Sequence, residues 1–411
     1  MNALPTTSGG TASPPAGLRL YKERLIGLVV NAAALIALGL LPFLWAEVTA
    51  VPSPVWTGAA LALMLLAAVV TKARHVADQR IALFMAIVLL LYAAGTCFNY
   101  AFVTAYHPRR LDLLIQNTSI LILAFAFFAF GITSGNRETL LGFVLAYLAV
   151  ATYTLTSSEN FTTAELYKRY ETMGIIVAYQ QLGDSLVICT LMIMARFRHP
   201  VAVYVLAALT IPILFVIPSR SAAVIGSFSL ILACLMVSNL RARMYIVAIA
   251  LIFAVTARVA IMTNISETLE GTRHSTLLTP DEDHSNEERK KIIGAGLNSI
   301  RENPVFGYFG FELDAFQGTG FYIHNVLDIW AQAGFLAFLM FLMYWTFVFR
   351  QWFLVSKINR SVSAATFPLL VFAALSWLVS RQPAFAPLYF CLGYACGSFA
   401  RATREPTSAA L

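Results

Sequence analysis

The sequence predicts an all-α polytopic membrane protein of about twelve transmembrane helices, with one long polar loop between the ninth and tenth. Charged residues make up 12% of the 411 residues and hydrophobic ones 59%, and the mean hydropathy is +0.74. A soluble domain carries roughly a quarter charged residues, so too little charge remains here to cover a water-facing surface. Hydrophobic runs of about 20 residues, each long enough for a bilayer core of about 30 Å, recur along the whole chain. These runs do not alternate with period two. Their backbone polar groups are therefore paired within helices rather than in a closed barrel.

Residues 1–18, rich in Pro, Thr, Ser and Gly, read as a disordered cytoplasmic tail. They lack the basic start and apolar core of a cleavable signal. Residues 19–262 hold the first nine spans, at 25–45, 55–70, 81–100, 113–132, 139–156, 175–195, 201–217, 221–239 and 245–262. Spans seven and eight form a tight hairpin turning at Pro218. The long loop is 263–322. Spans 323–345, 364–380 and 387–400 follow, and 401–411 is a second cytoplasmic tail. Cys97, Cys189, Cys234, Cys391 and Cys396 all sit in apolar runs without metal-ligand spacing and read as small buried hydrophobes.

With the N-terminus inside, Lys22, Arg74, Arg80, Arg137, Arg196, Arg198, Arg241, Arg350, Lys357, Arg360, Arg401 and Arg404 fall in inner loops. The first outer loop, 46–54, has no Lys or Arg. This is the positive-inside pattern, and it puts the long loop outside, in the periplasm of a bacterial inner (cytoplasmic) membrane. Several cations break the pattern: Arg109, Arg110, Lys168, Arg169, Arg220, Arg381, and Arg289, Lys290, Lys291 and Arg301 of the loop. Positive charge placed against the insertion bias on five segments points to an anionic ligand. The bland alternative is solvated charge, or pairing with Glu159, Glu165, Glu171, Asp281 and Asp283.

Within the loop, Ser285-Asn286-Glu287-Glu288 matches a capping box opening a helix over about 286–302. Ile292, Ile293, Leu297 and Ile300 give that helix one apolar face, and Asn303-Pro304 ends it. Gly307, Gly310, Gly318 and Gly320 then allow sharp turns. An amphipathic helix with Arg289 near its start would suit a lipid-linked anionic substrate at the bilayer surface. A lid packed on the bundle is the alternative.

Three constellations could carry chemistry. In Pro218-Ser219-Arg220-Ser221-Ala222, with Gly226 nearby, an arginine opens a helix whose dipole prefers anions there. Arg220 and the free amides of that turn could grip a phosphate, or the arginine could simply snorkel. His324-Asn325 opens span ten with Asp328 one turn further in. A carboxylate at i+4 could orient the imidazole as a base, against a plain interfacial capping role. Asp184, after Tyr179-Gln180-Gln181 inside span six, is either functional or the structural partner of a buried arginine. There is no Walker loop, HExxH or serine-hydrolase motif. Asp281-Glu282-Asp283 reads as a solvated loop, no metal dependence is indicated, and no nucleic-acid motif appears.

These residues resemble the O-antigen ligase and polymerase superfamily of bacterial envelope glycosyltransferases, GT-C-like polytopic enzymes, and the layout is most similar to its ligase branch. The resemblance rests on Ser219-Arg220-Ser221-Ala222 through Gly226 and on Arg289 in a long outer loop. It rests also on Arg301-Glu302-Asn303-Pro304-Val305-Phe306-Gly307 to Gly310, and on His324-Asn325-Val326-Leu327 leading to Ala333-Gly334. The span pattern covers most of the chain and the motifs about a quarter. One departure is Tyr308-Phe309 between Gly307 and Gly310, where relatives often have a shorter Gly-x-Gly.

The resemblance implies transfer of an O-antigen glycan from undecaprenyl pyrophosphate to the lipid A-core oligosaccharide, on the periplasmic face. It implies inversion at the anomeric carbon, no metal and no other cofactor. Arg220 and Arg289 match the family's essential arginines and His324 its essential histidine. Fixed guanidinium forks can stabilise a departing pyrophosphate without a metal, and His324 could accept or steer the acceptor proton. Arg109, Arg110, Lys168, Arg169, Arg381 and Asp328 are expected helpers in substrate binding. The nearest rivals are an O-antigen polymerase and a protein-glycosylating ligase. A twelve-span transporter would instead show two related halves and a site near the midplane, and no clear internal repeat is present.

Overall fold

A computed structural model describes residues 16–42, 44, 54–71, 79–134, 140–157, 179–197, 199–238, 244, 284–316, 323, 325–381 and 385–404. Every regular element among them is a helix. The first eight are α1 (Ala16–Ala34), α2 (Pro54–Val70), α3 (Gln79–Phe98), α4 (Arg110–Thr133), α5 (Leu140–Thr156), α6 (Tyr179–Phe197), α7 (Pro200–Val216) and α8 (Arg220–Val237). Then come α9 (His284–Glu302), α10 (Phe311–Phe316), α11 (Leu327–Ala333), α12 (Phe335–Ile358), α13 (Arg360–Val379) and α14 (Pro387–Arg404). Helices α1 and α3 run on into π-helical turns at Leu35–Leu40 and Asn99–Val103.

Among the described residues five helices are long and apolar enough to cross a membrane: Arg80–Val103, Arg110–Thr133, Arg220–Val237, Phe335–Ile358 and Arg360–Val379. Shorter apolar helices lie at Arg24–Leu40, Thr57–Val70, Leu140–Thr156 and Pro200–Val216. The expected spans coincide with described helices apart from the ninth, 245–262, which lies outside the described residues. The seventh and eighth do form a hairpin about Pro218.

Span ten is a correction. It is not one helix over 323–345 but two, α11 and α12, broken at Gly334, whose φ is +89°. A helix cannot pass through that dihedral, and only glycine takes it up without strain.

The centre of the bundle is the pair α4 and α14. Their contact is glycine-lined: an added Cβ on Gly131, Gly393 or Gly397 would stand 2.3, 2.0 or 2.5 Å from the Phe390, Phe128 or Ile132 carbonyl oxygen. Gly393 and Gly397 face Phe128 and Ile132 in the same order, so the helices run parallel, in the small-xxx-small manner of membrane helices. Trp377 joins this core, edge-on to Phe341, Trp345 and Tyr389. At one end of α4, Arg196 donates to the Ser134 carbonyl at 3.1 Å and Arg401 to that of Ile132 at 3.2 Å. Both arginines were expected inside, and each answers the orphan carbonyls of a helix C-terminus. At the other end α4 opens with Arg110, against the long-loop segment.

That segment has its own small core. Helix α9 lays Ile293, Gly296 and Ile300 towards Phe311, Ile323 and Ala331. It behaves as a packed lid over α10 and α11. One detail differs from expectation: Leu297 is turned outward, 37% exposed. The helix is described from His284, and the side chain of Ser285 lies outside the described residues. Asn303-Pro304 ends it as expected.

Candidate functional site

The site is built from the Ser219–Gly226 turn upward. Pro218 interrupts the apolar run, and Ser219 caps α8 by accepting from Ala222 N–H at 3.4 Å. Ala222 and Gly226 are small because α6 passes against them. A Cβ on Gly183 would fall 2.5 Å from Ala222 Cβ, and one on Gly226 would fall 2.5 Å from Val187 Cγ2. The same approach carries Asp184, fully buried, to the mouth of α8. There it meets Arg381, just past the end of α13. Arg381 Nε and Nη2 donate to Asp184 Oδ2 and Oδ1 at 2.8 and 2.9 Å. Its Nη1 donates to Ser221 Oγ at 2.8 Å, its Nη2 reaches Ser219 Oγ at 3.4 Å, and its guanidinium rests 5.1 Å from the Phe385 ring. Arg220 is held, half-buried, between two serines that both touch Arg381.

Of the two readings of Asp184, the structure shows the partner of a buried arginine, and that arginine is Arg381. Arg381 is 1% exposed and engaged by a carboxylate. Arg110 is held in a similar way. It is 1% exposed, donates to Asp314 Oδ2 at 2.7 Å and to the Ala105 carbonyl, and lies 5.4 Å from the Tyr308 ring. Both arginines anchor the walls. Arg109 differs: it is exposed, at the start of α4.

The loop segment is stitched to the α11–α12 break. The Trp330 indole donates to the Pro304 carbonyl at 2.7 Å, Phe335 N–H to Val305 at 3.0 Å and Tyr308 N–H to Ala331 at 2.6 Å, and Asn99 donates to the Phe306 carbonyl. Gly307 and Gly310, at φ +74° and +71°, supply the turns their spacing predicts. Tyr308 and Phe309 bridge them, with Phe309 buried. On α9, Arg289 recurs with Ile292, Ile293, Gly296 and Ile300 at spacings of three and four, so it shares the stripe turned towards α10 and α11.

Asp328 is buried on α11, a short helix outside the long apolar helices, and accepts from Ile323 N–H at 3.1 Å. Residues 323, 325 and 326 are not helical. His324, Lys168, Arg169 and the run 281–283 lie outside the described residues. Sequence reading missed Glu312 and Gln332. Both are buried, and Gln332 Nε2 stands 3.3 and 3.5 Å from the Glu312 carboxyl oxygens. Charged and amide residues beside glycine turns in an otherwise apolar stretch were the signal available.

All these groups gather at one end of the bundle, where α4, α6, α8, α12 and α14 begin and α3, α7 and α13 end. Tyr389 and Cys391, in the first turns of α14, lie within electrostatic reach of Tyr92 and Asp184 respectively, so α14 stands between the two halves of the site. Among the described residues no group of three or more His, Cys, Asp or Glu could hold a metal ion. All five cysteines are free; four are buried as expected, while Cys97 is exposed. No protein-family model matches the chain, and no curated protein matches it.

Proposed function

We propose that the chain is a glycosyltransferase of the O-antigen ligase type, a twelve-span protein of the bacterial inner membrane with its site on the periplasmic face. The observation that carries this reading is the mounting of Arg220. It opens α8 between two serines that Arg381 and Asp184 hold in place, at the same end of the bundle as the lid that carries Arg289. A cation fixed at a helix N-terminus suits a polyanion.

In this reading the donor is an undecaprenyl pyrophosphate-linked O-antigen and the acceptor a hydroxyl of the lipid A-core oligosaccharide. The acceptor oxygen attacks the anomeric carbon with inversion, and the bond to the pyrophosphate oxygen breaks. Arg220 and Arg289 stabilise the charge that develops on that oxygen, and His324 takes or steers the acceptor proton. Arg109, Lys168 and Arg169 assist in attracting the donor. Arg110 and Arg381 act by holding the walls.

The test is transfer by purified protein from lipid-linked glycan to lipid A-core, with chelator present. Loss on Arg220→Ala, Arg289→Ala or His324→Ala is expected, and near-normal transfer by any of the three removes that residue's role. Supplying a second lipid-linked repeat, or a pilin-like protein, as acceptor separates a polymerase or a protein ligase from this reading.

A further inference from the structure

Two carboxyls share one buried corner of the lid region. Glu312 and Asp328 are 2% and 1% exposed. The titratable and charged groups about them are Tyr92 from α3, Arg110 from α4 and Asp314 from α10, with Tyr389 of α14 behind Tyr92 and Arg289 of α9 on the stripe turned towards α10 and α11. Arg110, the cation beside Glu312, is engaged by Asp314 and the Ala105 carbonyl.

Gln332 sets the geometry. Its Oε1 accepts from Gly310 N–H at 2.9 Å. That turns its Nε2 towards Glu312, 3.3 and 3.5 Å from its two carboxyl oxygens, while Asp328 sits one turn earlier on the same short helix. One neutral amide is thus the side-chain partner of Glu312. Arg110 Nε, fully buried and against Gly310, has no hydrogen-bond partner. Two carboxylates excluded from water in one corner repel each other and lose hydration, and both effects favour the protonated form.

We propose that Glu312 and Asp328 are positioning residues that stay protonated in the folded chain, and that the Glu312 proton keeps α10 seated on α11 and the 303–316 segment in place beneath α9. Burial pushes the Glu312 carboxyl up to about 7, and burial followed by the nearby Glu312 charge raises Asp328 well above the ordinary carboxylate range. A carboxyl raised in this way keeps its proton in the folded chain after the unfolded chain has lost it. Its contribution is therefore complete below its ordinary value near 4.5 and is lost as pH rises through about 7.

The experiment uses the full-length protein in detergent, comparing wild type, Glu312→Gln, Glu312→Ala and Asp328→Asn. Glutamine keeps the shape and carries the uncharged state at every pH. The wild-type melting temperature is expected to fall between about pH 6 and about pH 8. Glu312→Gln should remove most of that fall and Asp328→Asn should keep it, while Glu312→Ala melts low throughout. An infrared carboxylic-acid C=O band present at about pH 6 should fade by about pH 8 in wild type and be weakened in Glu312→Gln. The proposal is overturned if Glu312→Gln keeps the wild-type pH profile, if Asp328→Asn loses it, or if the band does not change with pH.

The activity arm alone rests on the glycosyl-transfer reading. Between those two pH values the wild-type transfer rate should drop roughly tenfold relative to Glu312→Gln, the change in protonated share for a group titrating near 7. If no protein transfers glycan while the melting and infrared arms behave as expected, the functional reading fails and the role of the Glu312 proton stands.

Discussion

Arg381 and Asp184, 197 positions apart in the chain, meet in a two-pronged ion pair with N–O distances of 2.8 and 2.9 Å. Neither residue is exposed by more than 1%. The pair ties α6 to the end of α13, and through Ser219 and Ser221 it ties both to the start of α8. Removing one partner leaves a buried charge uncompensated, which costs about 3–5 kcal/mol. Asp184→Asn and Arg381→Met should each lower the melting temperature sharply. The double variant Asp184→Asn/Arg381→Met should recover much of the loss. A double-mutant cycle by thermal denaturation in detergent measures the coupling, and simple additivity would show that the two groups do not act as a unit.

Arg110 and Asp314 look like a second such pair, but their outcomes should differ. Asp314 is 42% exposed on its side chain, so Asp314→Asn is expected to cost no more than about 1 kcal/mol. Arg110→Ala removes the fully buried member and the donor to the Ala105 carbonyl. It should cost several-fold more and loosen the 303–316 segment, read as faster proteolysis there. Equal effects of the two substitutions would contradict this division of labour.

Gly307 and Gly334 are interlocked. A Cβ on Gly307 would meet the Trp330 and Ala331 carbonyl oxygens at 2.6 and 2.7 Å, and one on Gly334 would meet those of Val305 and Phe306 at 2.5 and 2.6 Å. Both also have φ between 70° and 90°. Gly334→Ala should cost about 1–3 kcal/mol from the dihedral alone, plus the displacement of the 304–308 segment. Lower yield of folded protein and a lower melting temperature would register it. A neutral Gly334→Ala would mean that the break between α11 and α12 is not held by this residue.

Glycines elsewhere should behave in the opposite way. Gly58 and Gly294 have nothing within 4 Å of an added Cβ and sit in helices. Gly294→Ala should be neutral or stabilising by roughly 0.5–1 kcal/mol. Gly393→Ala, by contrast, would bring its Cβ to 2.0 Å from the Phe128 carbonyl oxygen and should prevent normal packing of α14 on α4. Melting curves of the two variants give the comparison directly.

The helical segments and their order were legible because lipid-length apolar runs leave a chain little choice of backbone. The Pro218 hairpin, the end of α9 at Asn303-Pro304 and the turns at Gly307 and Gly310 were legible for a related reason: each depends on one residue's local stereochemistry. The split of span ten was not. Ala333-Gly334-Phe335 reads as ordinary apolar helix, and only the close approach of the 304–308 backbone requires a break there. The pairing of charges was also hidden. Arg110 and Arg381 stood out as cations outside the positive-inside pattern, but their partners lie 204 and 197 positions away. Sequence could show that a buried charge needs a counterion without showing which one. For the candidate site this hid the partners of Arg110 and Arg381 and the Glu312–Gln332–Asp328 corner.

The parallel contact of α4 with α14 has a consequence for how the protein is made. Arg401 and the Ile132 carbonyl it grips are 269 positions apart, and synthesis adds residues one at a time from the N-terminus. Helix α4 therefore waits in the bilayer through the translation of some two-thirds of the chain before the helix that fits its glycine-lined groove emerges. The groove must be occupied meanwhile by lipid or by the membrane-insertion machinery. The arrival of α14 then seats it between Asp184 on one side and Tyr92 on the other, so that neither half of the site is finished before its neighbour.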